Sequence, residues 1–287
     1  MNSSDKNTFF CLKSTLNCGG KLINLKKPVV MGILNITNDS FFDGGKYLQL
    51  SEILAKIEKM LFEGATIIDI GAASTRPGAI EVDEKQELKK YKDFLPSIIK
   101  QFPETIFSID TYRSKVARFA IANGAHIIND ISAGNFDDKM FETIAELKVP
   151  YIMMHIKGTP QNMQQNPTYK NLSGEIISYF QEKVIKLKSL GVNDIIIDPG
   201  IGFGKTLEHN YEILSKLELL KIFELPIMVG VSRKSLIYRH LEITADEALN
   251  GTTVLNTVSL LKGASILRVH DVKEAVETIK IILKLNT

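Results

Sequence analysis

Three adjoining stretches decide the fold: Thr105-Ile-Phe-Ser-Ile-Asp110, Ser114-Lys-Val-Ala-Arg-Phe-Ala-Ile-Ala-Asn123 and His126-Ile-Ile-Asn-Asp130. The first and third are short, nearly continuous apolar runs rich in β-branched residues, the pattern of parallel strands buried on both faces. The middle one carries its apolar residues at three-and-four spacing, the period of a helix. Strand, helix and strand in that order form a βαβ unit with a parallel pair of strands.

Working outward, the same alternation fills the chain. Strands are expected at Val29–Leu34, Thr66–Gly71, Thr105–Asp110, His126–Asp130, Pro150–His155, Asp194–Asp198, Pro226–Val231 and Ser265–Val269. Helices are expected near Ser51–Glu63, Asp83–Phe102, Ser114–Asn123, Asp137–Leu147, Leu172–Leu190, Leu207–Ile222, Ala245–Lys262 and Val272–Lys284. Eight βα units with no linker between them fit a closed (β/α)₈ TIM barrel spanning 29–287 as one domain. A doubly wound open sheet is the rival, because periodicity cannot separate closed from open. Residues 1–28 form an N-terminal extension. Within it, 8–28 read as a β-hairpin about Asn17-Cys18-Gly19-Gly20, placed to cover the barrel bottom.

Composition narrows the function. Among 287 residues, 35 Lys+Arg face 33 Asp+Glu, a net charge of +2 that is too balanced for a nucleic-acid binder working by bulk charge. With 44% hydrophobic and 24% charged residues the chain is not disordered. No apolar run approaches the ~18 residues that span a bilayer. Residues 1–20 lack the unbroken apolar stretch of a signal peptide, so the expected location is the cytoplasm. Cys11 and Cys18, without a CxxC partner set, are expected to be free thiols.

The chemistry collects at the C-terminal ends of the strands: Asn35; Ser74, Thr75 and Arg76; Asp110; Asn129 and Asp130; His155; Asp198; Ser232, Arg233 and Lys234; Arg268 and His270. In a barrel these ends converge on one mouth, where barrel enzymes place their sites. Any one Asp or Asn could merely cap a turn, but capping does not explain polar groups at all eight ends. Three of the six arginines, Arg76, Arg233 and Arg268, stand there, which suggests bidentate recognition of phosphate or carboxylate. Asp198, flanked by Ile195, Ile196, Ile197 and Pro199, is costly to leave unpaired; a flat amino-pyrimidinone edge supplies two parallel donors.

Gly200, Gly202 and Gly204 fit neither the Walker spacing nor G-x-G-x-x-G. They read as a sharp turn presenting Phe203 to a flat ring. His155 is either an acid, base or ligand, or a core histidine. Asp39 and Asp43, with Asn35, either bind a hard divalent cation or form ordinary turns.

Two loops, Met31-Gly-Ile-Leu-Asn-Ile-Thr-Asn-Asp-Ser-Phe-Phe-Asp-Gly-Gly45 and Gly64-Ala-Thr-Ile-Ile-Asp-Ile-Gly-Ala-Ala-Ser-Thr-Arg-Pro-Gly78, resemble the signature loops of dihydropteroate synthases. Ser108-Ile-Asp-Thr111, Ile127-Ile-Asn-Asp130, Met154-His-Ile-Lys-Gly-Thr-Pro-Gln161, Asp198-Pro-Gly-Ile-Gly-Phe-Gly-Lys205, Ser232-Arg-Lys-Ser235 and Arg268-Val-His270 resemble the remaining family motifs, in family order. The resemblance implies a (β/α)₈ transferase of folate biosynthesis and a target of sulfonamides. Its reaction joins 6-hydroxymethyl-7,8-dihydropterin pyrophosphate to p-aminobenzoate, giving 7,8-dihydropteroate and pyrophosphate. By motif, Asp110, Asn129, Asp198 and Lys234 hold the pterin, with Met154 and Phe203 lining its pocket. Thr75, Arg76, Arg268 and His270 hold the pyrophosphate, with Mg²⁺ on Asn35. Phe41, Pro77, Lys234 and Ser235 frame the p-aminobenzoate, and Asp43 faces the reacting carbon. Asp43, Asp110, Arg268 and His270 are the implied catalytic set, and a homodimer through outer helices is implied.

Asn38, Phe42, Ala72 and Ala73 depart from the usual family residues, a matter of loop conformation more than of charge. A dissociative substitution is expected, since the electron-rich dihydropterin can delocalise the charge left when pyrophosphate departs. Two rivals share the pterin grip: a methyltetrahydrofolate methyltransferase with a corrinoid partner, which has little use for the anion clamp, and a pterin-binding homologue without synthase activity.

Overall fold

The computed structural model describes residues 13–36, 46–73 and 82–285. A hairpin of β1 (Thr15–Cys18) and β2 (Lys21–Asn24) precedes the central eight-stranded parallel sheet of β3 (Val29–Asn35), β4 (Ile67–Gly71), β5 (Ile106–Asp110), β6 (Ile127–Asp130), β7 (Tyr151–Met154), β8 (Ile195–Asp198), β9 (Met228–Val229) and β10 (Ile266–Val269). The spatial order runs β8-β7-β6-β5-β4-β3-β10-β9, and a single parallel bridge, Ile197 to Ile227, joins the two ends. The sheet is therefore a nearly closed barrel, as its eight βα units predict. β9 is shorter than expected because Pro226 has no N–H to give to a ladder. The carbonyl of Pro226 still accepts from the Ile197 amide at 3.0 Å.

Around the barrel lie α1 (Lys46–Phe62), α2 (Glu84–Gln101), α3 (Ser114–Ala122), α4 (Met140–Leu147), α5 (Leu172–Ser189), α6 (Leu207–Ser215), α7 (Ser235–Tyr238), α8 (Leu249–Leu261) and α9 (Val272–Leu285). Three departures from the expected helices have local causes. The expected helix Leu207–Ile222 breaks at Lys216 and continues as a 3₁₀ segment, Leu217–Phe223. α4 begins at Met140, after a turn in which Asp137 serves both sides, its Oδ2 accepting from the Ser114 amide of α3 at 2.7 Å and its Oδ1 from the Lys139 amide at 3.0 Å. The one-turn α7 is too short to leave a period in the sequence. Among the described residues, no helix is long and apolar enough to cross a membrane.

The hairpin of β1 (Thr15–Cys18) and β2 (Lys21–Asn24) turns through Gly19 and Gly20, both at positive φ. A two-residue turn of this kind needs that backbone, and glycine adopts it without steric cost. Leu16, Cys18, Ile23 and Leu25 pack on one residue from every barrel strand: Met31, Ile67, Ile106, Ile127, Ile152, Ile196, Met228 and Ile266. The hairpin thus closes the N-terminal end of the barrel. Burial there pushes the free Cys18 thiol up to about 12.

Side chains alternate along strands, so residues two positions beyond that apolar layer share its interior face. They are Ile33, Asp69, Ser108, Asn129, Met154, Asp198, Gly230 and Arg268. The interior changes within one step from wholly apolar to mostly polar, and the second layer forms the floor of the mouth.

Candidate active site

Arg268 organises this floor. Its Nε donates to Asp69 Oδ2 at 2.7 Å and its Nη2 to Asp110 Oδ2 at 2.9 Å. Asn129 Nδ2 donates to the same Asp69 oxygen at 3.0 Å. Asp69 is fully buried, and its Oδ1 and the neighbouring Ser108 Oγ have no hydrogen-bond partner among the described protein groups. Burial pushes the Asp110 carboxyl up to about 7, even though the Arg268 guanidinium pulls the other way. Asp110 is the group of this set whose charge changes near neutral pH.

Asp198 lies across the mouth. Its Oδ1 accepts from the Gly200 amide at 2.7 Å. Burial raises its carboxyl above the usual carboxylate range, opposed by the charges of Lys234 and Arg268. Asp198 and Arg268 share the same interior layer of the barrel, each two positions beyond the apolar layer of its strand. Lys234 donates to the Ile201 carbonyl at 2.6 Å and stands 4.8 Å from the centre of the Phe203 ring. Burial lowers the Lys234 ammonium to about 8. Gly230 lies beside both cations, since a Cβ there would be in ordinary contact with Lys234 Nζ at 3.7 Å and with Arg268 Cβ at 3.8 Å.

The turn after β8 is held from all sides. Gly200, Gly202 and Gly204 all have positive φ, and a Cβ on Gly200 would lie 1.9 Å from the His155 carbonyl oxygen. Phe203 packs in an apolar patch with Ile131, Met154, Ile156, Met163, Tyr112 and Phe136. His155 is a core histidine: burial lowers its imidazole to about 2, and Nδ1 lies 2.9 Å from the Lys205 ammonium. A lysine ammonium can only donate, so Nδ1 accepts and the ring proton sits on Nε2.

His270 stands at the rim, its Nδ1 3.1 Å from Ser232 Oγ. Ser235 opens α7 beside Lys234. Asn35 ends β3 in register with Gly71, itself paired with Asp110, and Asn35 Oδ1 would lie 3.2 Å from a Cβ on Gly71. The flanks of the second loop are anchored. The Ala72 amide donates to Tyr91 Oη at 3.2 Å, and Arg113, paired with Glu87, donates to the Val82 carbonyl at 2.6 Å. Ala72 is fully buried at that anchor.

Asp110, Asn129, Met154, Asp198, Phe203, Lys234 and Arg268 therefore meet in one mouth, with Asn35, Ser235 and His270 at its edge. Asn38, Asp39, Phe41, Phe42, Asp43, Thr75, Arg76 and Pro77 lie outside the described residues. Two strand-end groups do not face an anion. Arg233 is bound at both ends of its guanidinium by Asp271, Nε to Oδ2 at 3.0 Å and Nη2 to Oδ1 at 2.7 Å, and contacts Asp246 at 3.1 Å. Its bidentate fork is occupied by an internal carboxylate, so it is not an anion clamp. Asp130 caps its own turn, accepting from Ser132, Gly134 and Tyr151. Asp69 was absent from the sequence-derived set. Its signal was the one that singled out Asp198, a carboxylate between Ile67, Ile68 and Ile70 in a strand buried on both faces.

A family described as pterin binding enzyme matches residues 31–270. The dihydropteroate synthase of Escherichia coli is 40% identical over 265 residues, which cover 92% of this chain and 93% of that protein. The chain belongs to the dihydropteroate synthase family. The Haemophilus influenzae dihydropteroate synthase is 38% identical, covering 93% of this chain and 97% of that one. Among solved structures, the Yersinia pestis dihydropteroate synthase in complex with a sulfonamide drug superposes with a TM-score of 0.89 at 39% identity, covering 95% of this chain and 99% of that one. The Xanthomonas albilineans dihydropteroate synthase with 4-aminobenzoic acid gives 0.88 at 31% identity, covering 96% and 98%. The dihydropteroate synthase fold thus extends over nearly the whole chain, hairpin included.

Proposed function

We propose that this enzyme joins 6-hydroxymethyl-7,8-dihydropterin pyrophosphate to p-aminobenzoate, releasing pyrophosphate and forming 7,8-dihydropteroate. The observation that carries the reading is the contact of Arg268 with Asp69 and Asp110, which sets the cationic group directly beside the acceptors that suit a pterin edge. Asp198, Asn129 and Lys234 grip the heterocycle, and Phe203 and Met154 lie against its faces. Arg268 and His270, with Thr75 and Arg76, draw off the diphosphate. By family motif, Phe41, Pro77, Lys234 and Ser235 are the residues for the arylamine, and Asp43 is the residue for the reacting carbon.

As the C–O bond to pyrophosphate breaks, positive charge spreads into the dihydropterin ring and negative charge gathers on the leaving group. Ionised Asp110 stabilises the first and Arg268 the second, each oriented before reaction, and one such preorganised donor can be worth ~2.7–4 kcal/mol. The unprotonated arylamine then attacks without a strong base. The oxygen of Asn35 suits Mg²⁺, which prefers oxygen ligands and shares them with substrate phosphates. Bound there, the ion would neutralise diphosphate charge. A homodimer is part of the same reading: α8 and α9 expose Val254, Leu261, Ile281 and Leu285 on the outside of the barrel.

Mixing the purified protein with both substrates and Mg²⁺ should release one pyrophosphate per dihydropteroate formed. Pterin binding without release would identify a non-catalytic homologue instead. The methyltransferase reading has little use for Arg268 and His270 as an anion clamp.

A further inference from the structure

Four successive carbonyls in the turn after β8 each accept from a different side chain. Ile201 O takes Lys234 at 2.6 Å, Gly202 O takes Gln164 Nε2 at 2.7 Å, Phe203 O takes Lys205 Nζ at 2.9 Å and Gly204 O takes the Tyr169 hydroxyl at 2.7 Å. An irregular turn seldom has every carbonyl fixed in this way, and the result is a backbone with little freedom to shift. Of the four donors, Lys205 alone is fully internal, 2% exposed. Its ammonium has three N–H donors, and all are met: Phe203 O, His155 Nδ1 at 2.9 Å and His155 O at 3.2 Å. It therefore ties the turn that carries Phe203 to the end of β7, which carries Met154.

We infer that Lys205 is a positioning residue for pterin recognition. It lies behind the turn and touches no substrate. By holding the Phe203 carbonyl against His155 it sets the height and tilt of the Phe203 ring over the heterocycle and keeps Met154 opposite it. Stacking on a flat ring depends on offset and separation within fractions of an ångström, so a pin of this kind acts on affinity for the pterin far more than on the arylamine subsite, which shares only Lys234 with this turn. The inference rests on the assignment of Phe203 to the pterin pocket.

The chain has no Trp, so Phe203→Trp makes a single-tryptophan protein whose emission reports on this turn alone. In that background a pterin such as 6-hydroxymethylpterin should quench the emission on binding. Adding Lys205→Met should shift the emission to the red, lower its anisotropy and weaken pterin binding about tenfold or more. In the otherwise natural chain, Lys205→Met should raise KM for the pterin substrate and leave KM for p-aminobenzoate within about twofold. Should Lys205→Met fail to melt cooperatively, Lys205→Gln, which keeps two donors, takes its place and should give intermediate values. Unchanged emission and pterin affinity in whichever of these variants folds would overturn the inference. Absence of pterin quenching in Phe203→Trp itself, with pterin still bound, would instead overturn the placement of Phe203.

Discussion

Asp110 sits at the end of β5 with one carboxylate oxygen on the Arg268 guanidinium. Burial has moved its ionisation to about 7, and the Lys234 ammonium across the cavity has moved down to about 8. Below about 7 Asp110 is protonated in the free enzyme and cannot stabilise a ring cation; above about 8 Lys234 loses its charge. kcat/KM for the pterin substrate should therefore rise with pH through about 7 and fall beyond about 8, since this parameter reports groups of the free enzyme. Substrate diphosphate also titrates near neutrality, so the decisive comparison is with Asp110→Asn. That variant should be much slower and should lose the rising limb assigned to the carboxylate. An identical limb in Asp110→Asn would remove Asp110 from the pH dependence. Sequence made Asp110 and Asp198 visible because each is a carboxylate closing an apolar strand. Arg233 misled the same reading, since a strand-end position says nothing of Asp271, which follows the next strand but lies beside it in space.

At the scale of the element, the turn after β8 is the most constrained piece of backbone near the site. Gly200 has φ +70° and its missing Cβ would occupy the space of the His155 carbonyl oxygen, 1.9 Å away. Gly200→Ala must move the main chain at both places, so it should cost more than about 2 kcal/mol of folding free energy and weaken pterin binding as well. Urea unfolding and calorimetric titration together check this, and a stability within about 0.5 kcal/mol of the natural chain would show that the turn relaxes easily. Seven of the eight strands were legible to within a residue at each end, because parallel strands buried on both faces have few ways to be written, while Pro226–Val231 shrank to Met228–Val229. Helix ends were less so. Asp137 reads as the start of its own helix but divides its carboxylate between the Lys139 amide and the neighbouring Ser114 amide, and the break at Lys216 has no proline or glycine to announce it.

Across the whole molecule, the barrel is stoppered at one end by the hairpin and open for chemistry at the other. Leu16, fully buried in that stopper, packs in the same cluster as all eight strands. Leu16→Ala should lower stability by about 2–5 kcal/mol, the range for emptying a buried leucine site, with both KM values unchanged. A KM shift of several-fold would mean that the floor and the mouth are mechanically linked. The hairpin was readable from its double glycine, whereas its role as stopper depends on which strand residues point inward, which only closure of the sheet decides. Closure itself is uneven. β3, β4 and β5 share ladders of five paired positions each, while β8 meets β9 through one bridge. Asp69 and Asp110 ride on the well-laced staves, whereas Asp198 and Lys234 follow the two strands that flank the sparse seam. Where the ladder is thinnest the staves are clasped from above instead, since Lys234, after β9, reaches the Ile201 carbonyl, after β8, at 2.6 Å, so cutting that clasp would loosen the cylinder at its one weak join.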